Sequence, residues 1–169
     1  FIATAQASAS ASLTITGLDS TYDSYLVTFS DFIMATDTAE LFLRLGDSSG
    51  VDSGATDYDY NVHHPSANQA TYVVSNSTGD SKIKLAPGGI GNAAGEGFGG
   101  AVIIHQPGDA TMRPVVTGQT ASVAGSGDVH RNVVAGSRKA VITVDRAHGM
   151  PKLGNITSGR MNVYGFNNS

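Results

Sequence analysis

Apolar and polar residues alternate with a period of two along most of this chain. In "LTIT", Leu13 and Ile15 alternate with Thr14 and Thr16, the pattern of a half-buried strand. In "YLVTFSDFI", Tyr25, Val27 and Phe29 share one face before Phe32 changes parity, which predicts a β-bulge near Ser30. "ELFLRL" places Leu41, Leu43 and Leu45 on one side and Phe42 with Arg44 on the other. Asp37 and Glu40 mimic a helical capping box there, but strict alternation over a short apolar run favours a strand. The same reading predicts strands over 58–62, 71–74, 82–86, 100–106, 112–118, 139–145 and 160–166.

Between these runs lie the turn clusters "GLDS", "GDSSG", "NSTGD", "PGGIGN", "QPGDA", "AGSGD" and "ITSG", and no segment carries a sustained helical period. Many short strands with regular turn spacing imply an all-β fold, an antiparallel two-sheet β-sandwich of jelly-roll-like or other Greek-key type. Its expected core comprises Leu13, Ile15, Val27, Phe29, Leu41, Leu43, Val102, Ile104, Ile142, Val144 and Val163. Residues 1–11, in which Ala alternates with small polar residues, hold no side chain large enough to anchor a core. They are expected to be a lead-in or linker to a single sandwich domain spanning 12–169.

Composition narrows the function. The chain has 169 residues, no cysteine, a formal charge of -4 and 14% charged residues, against about 25% in ordinary soluble domains. The absence of thiols excludes disulfides and thiolate chemistry. A pI near 5.6 without a basic stripe argues against nucleic acid as a partner. The longest apolar run, "AVII" at 101–104, is far short of a membrane span of about 20 residues, so no membrane insertion is expected. The opening "FIATAQASA" has no basic region and only a short apolar start, which does not suit a secretory signal.

Candidate chemistry is sparse. "PGGIGNAAGEGFGG" is glycine-rich but leads into the strand-like "GAVII" rather than a helix, and lacks the Lys-Ser/Thr ending of a phosphate loop. Asp47, Asp52, Asp57 and Asp59 suggest calcium, yet their spacing is not that of an EF-hand and turn aspartates suffice, so no metal or cofactor is expected. His105, His130 and His148 are scattered, and neither an HExxH nor a GxSxG pattern occurs, so no enzyme activity is expected. Recognition chemistry remains. "TDYDYNVHH" places Tyr58 and Tyr60 on one strand face and Asp57, Asp59 and Asn61 on the other, and closes with His63 and His64. Aromatic faces beside carboxylates and amides suit a sugar's apolar ring face and hydroxyl edges, making Asp57, Tyr58, Asp59, Tyr60, His63 and His64 the candidate binding residues. The competing reading is that Tyr58, Tyr60 and Val62 face the core.

The segments "ASLTITGLDSTYDSYLVTF", "ATDTAELFLRL", "SSGVDSGATDY", "GNAAGEG" and "ITSGRMNVYGFNNS" together resemble a recurring domain of tailed-bacteriophage virion proteins, especially tail-fibre and similar appendage proteins. The resemblance implies a structural virion protein that contacts other virion proteins and host surface glycans, working as a homo-oligomer, most simply a trimer. A capsid decoration protein and a secreted non-catalytic carbohydrate-binding module are the alternatives.

Overall fold

The computed structural model describes residues 1–68 and 73–167. They form two antiparallel sheets packed face to face, and no helix among the described residues is long and apolar enough to cross a membrane. The larger sheet has eight strands in the order β1 (Ala3–Ser10), β13 (Ile156–Phe166), β3 (Ser24–Met34), β9 (Gly97–His105), β10 (Val115–Val123), β11 (Val129–Arg138), β6 (Tyr58–His63) and β7 (Val74–Asp80). The smaller has five: β2 (Leu13–Thr16), β12 (Arg146–Pro151), β4 (Leu41–Asp47) and β5 (Gly50–Val51) in order, with the short β8 (Ile83–Lys84) also pairing β4. The chain crosses between sheets at each step from β1 to β4, from β5 to β6, at each step from β7 to β9 and at each step from β11 to β13, which gives the expected antiparallel two-sheet β-sandwich.

Same-parity apolar residues of both sheets meet in one core. Leu13, Ile15, Val27, Phe29, Leu41, Leu43, Val102, Ile104, Val144 and Val163 are all buried, while Ile142 is half-buried against their edge. Phe42, on the opposite side of β4, is covered by Lys82, whose ammonium lies 5.0 Å from the ring centroid. The bulge falls where parity predicts it: β3 pairs β9 at Phe29↔Gly100 and next at Phe32↔Phe98, with Asp31 in the left-handed region at φ 57°. The shift turns Phe32 inward, where it packs edge-to-face with Phe29 and Phe98 at 5.6 and 6.0 Å.

Four segments depart from expectation. Residues 3–10 are not a lead-in outside the domain but an edge strand, paired with β13 from Ala3↔Val163 to Ser10↔Ile156. Ala3 and Ala5 are half-buried and Ala7 is buried opposite Gly159, where φ is 135° and Phe32 occupies the space a Cβ would need. Residues 139–145, expected as a strand, instead form an irregular crossing from β11 to β12. Main-chain bonds from Lys139 N–H to Asp57 O and from Val144 N–H to Pro107 O tie it down, and alternation survives only in the inward Ile142 and Val144. Strand β11 was not anticipated, because its inward positions are His130, Asn132, Val134 and Gly136, of which one alone is a large apolar residue. Strand β7 occupies the "NSTGD" stretch expected to be a turn; the expected 71–74 strand lies partly outside the described residues.

Candidate functional site

Strand β6 carries most of the expected site, and its alternation splits that site in two. Tyr58, Tyr60 and Val62 face inward and are buried, which corrects the expectation that the two tyrosines stack on a ligand. The Tyr58 hydroxyl accepts the Leu45 N–H at 2.9 Å and lies 2.9 and 3.0 Å from the carbonyls of Leu45 and Asp52. Burial pushes its pKa well up, which keeps it a neutral hydroxyl tying the two sheets together.

The aspartates serve ion pairs and turns. Arg138 donates from Nε to Asp52 at 2.6 Å, and its Nη1 lies 3.4 Å from the Asp57 carboxylate, whose other oxygen accepts the Gly54 N–H at 2.6 Å. Burial alone would lower the Arg138 pKa, but the neighbouring Asp52 and Asp57 carboxylates outweigh it and raise it. Asp47 accepts from the Ser49 hydroxyl and N–H, which hold its pKa down and close the β4–β5 turn. Among the described residues no group of three or more acidic or histidine side chains is arranged to hold a metal ion.

His63 and His64 part company as consecutive strand residues must. His63 belongs to the outer face, in register between Val133 and Val74. His64, just past the end of β6, is half-buried; burial pushes its pKa down, and His130 and Lys84 add to that. Lys84 in turn pairs with Glu40 at 2.9 Å, and Glu40 also accepts from Lys152 at 2.8 Å.

The outer face of β6 opens onto a shallow cleft of about 440 Å³. Asn61 is in register with Ala135 on one side and Asn76 on the other, so two carboxamides stand next to each other on adjacent strands. Asp59 and Ser137 form the next row, opposite Val115. Val115 and Ala135 supply an apolar floor, Thr78 a hydroxyl, and Lys139 sits beside the cleft, 3.5 Å from Asp59 and bonded to Thr78 O at 2.7 Å. The outcome for the six expected residues is mixed. Asp59 lines the outer cleft and His63 shares its face, Tyr58 and Tyr60 are buried in the core although Tyr60 also borders the cleft, Asp57 is held by Arg138, and His64 lies on the other side.

Asn76, Thr78, Val115 and Ala135 escaped sequence reasoning. No local pattern marks β7, because Ser75, Asn76, Ser77 and Thr78 are all polar and the "NSTGD" composition is turn-like. A second cleft of about 610 Å³ lies at the strand ends near Tyr22, Asp23, His105 and Asp109. His105 shares a hydrogen bond with Thr117 at 2.8 Å, while Asp109 accepts from the Thr111 hydroxyl and N–H and from the Met112 N–H, which hold its pKa down and fold the local turn. Compared with known proteins, the chain matches no family model, no curated protein and no solved structure.

Proposed function

We propose that this chain is a non-catalytic, self-associating β-sandwich module of a virion appendage, and that the outer cleft at β6, β7, β10 and β11 contacts neutral glycans of the host surface. The observation that carries the glycan reading is the pair of outward carboxamides, Asn61 and Asn76, in register above the apolar Val115 and Ala135. Each carboxamide offers donors and an acceptor, the combination that fits vicinal sugar hydroxyls, while the floor suits the C–H face of a ring. The open shape of the cleft fits one or two sugar units of a longer chain. The virion assignment rests on the five sequence segments quoted above and on the low charge of the chain.

The test is binding of the folded domain to host cells and to extracted surface polysaccharide. Asn61→Ala/Asn76→Ala is expected to lose binding by tenfold or more with unchanged thermal stability, on the scale of two lost hydrogen bonds. Unchanged binding by the folded double variant would remove the cleft as the glycan site.

A further inference from the structure

The two edges of the larger sheet differ in how they meet solvent. At β7 the pairing with β6 is irregular between Tyr58 and Tyr60, and Asp80 with Lys82 places charges at the strand end. Such features discourage the addition of another strand. At β1 the register with β13 is unbroken from Ala3↔Val163 to Ser8↔Ser158, and the strand carries neither charge nor proline; its one irregularity, Ala9 at φ 51°, comes near its end. One side of β1 is bonded to β13, and no strand among the described residues pairs with the other. Next to this open main-chain edge stands an exposed aromatic group. Phe1 is 72% exposed and meets the ring of Tyr164 at 5.5 Å, and Phe166 follows on the same face of β13.

We infer that β1 of one copy adds antiparallel to β1 of a second copy, joining two sheets across a twofold axis; this rests on the self-associating part of the function proposed above. A like copy fits because the strand is self-complementary about Ala5. Ala3 meets Ala7 of the second copy, Ala5 meets Ala5, and Thr4 meets Gln6. The inward alanines of both copies stay on the inter-sheet side, and the exposed Thr4 and Gln6 stay on the outer side, as the pleat requires. Charge points the same way. With a net charge of -4 two copies repel, and the uncharged edge is where they approach at least cost. An edge strand has a single free side, filled by one neighbour, so the pairing is twofold, in place of the trimer that the resemblance implies.

The test is sedimentation of the full chain over a micromolar concentration series, with two variants that differ only at position 4. Thr4→Glu/Gln6→Glu places Glu against Glu twice in the symmetric pair, whereas Thr4→Lys/Gln6→Glu places Lys against Glu twice. Both sites are exposed, and Glu at position 6 stands opposite Arg160 within the monomer. The dissociation constant is expected to rise about tenfold for the Glu/Glu variant and to stay near wild type for the Lys/Glu variant. Amide exchange in β1 of the wild type is expected to slow as concentration rises. Wild type that stays monomeric throughout would overturn both this inference and the self-associating reading. Association that both variants share equally, or lose equally, would overturn the β1 pairing alone.

Discussion

The two faces of β6 differ in almost every physical respect although they alternate residue by residue. On the inner face, Tyr58, Tyr60 and Val62 are closed off by the second sheet, and the Tyr58 hydroxyl has found partners in Leu45 and Asp52. On the outer face, Asp59, Asn61 and His63 lie in register with the neighbouring strands; Asn61 is exposed, and Lys139 stands 3.5 Å from Asp59. A tyrosine-and-aspartate segment reads along the chain as a single sugar site. The pleat divides it into a part that closes the core and a part that lines the outer surface.

Substitutions on the two faces separate these roles. The largest effect is expected in the core that the inner face packs against: Leu43→Ala should cost about 2–5 kcal/mol in a denaturant titration, and an effect below about 0.5 kcal/mol would contradict the shared core. Tyr58→Phe should cost about 1–3 kcal/mol, since the Leu45 N–H loses the acceptor it has in the buried interface. A neutral result would mean that the hydroxyl is not the tie between sheets.

Acid tests the buried side in another way. The pKa values of His64 and His148 are lowered chiefly by burial, with His130 and Lys84 near the first and Arg44 near the second. Because the folded values lie below the ordinary value of 6.5, the unfolded chain takes up these protons first. Stability is therefore complete above about pH 6.5 and falls as the pH drops below it. A melting temperature that stays flat or rises from pH 7 to pH 5 would contradict this. Glu40 adds a second acid-sensitive step: burial would raise its pKa, but hydrogen bonds from Lys152 and Lys84 outweigh that and lower it, so its contribution is lost at still lower pH. The smallest effect on stability is expected on the outer face, where Asn61→Ala should change it by less than about 0.5 kcal/mol, the range of exposed substitutions.

Period two carried the sequence reading furthest where large side chains fill the inner face. The strands around Val27, Leu43 and Val102, and the bulge after Phe29, were legible because one wrong parity there would expose several large apolar groups. Legibility failed where the inner face is small or polar. In β11 the inward Asn132 is fully buried, and in β10 the inward Thr120 bonds the Leu85 carbonyl at 2.8 Å, so polar residues stand where a pattern search expects apolar ones. In β1 the inward side chains are alanines, so the strand resembles a linker although it pairs along β13. The cleft was legible only in its β6 half. Asn76 and Val115 join it through sheet pairing, which no local pattern encodes.

The most direct test of the outer-face account is a titration of isotope-labelled domain with neutral host-surface oligosaccharides, followed by amide chemical shifts. The account predicts saturable shifts in the side-chain amides of Asn61 and Asn76 and the backbone of Thr78 and Ala135, with Tyr58 unmoved. Saturable shifts confined to another surface, or none up to millimolar sugar, would contradict it.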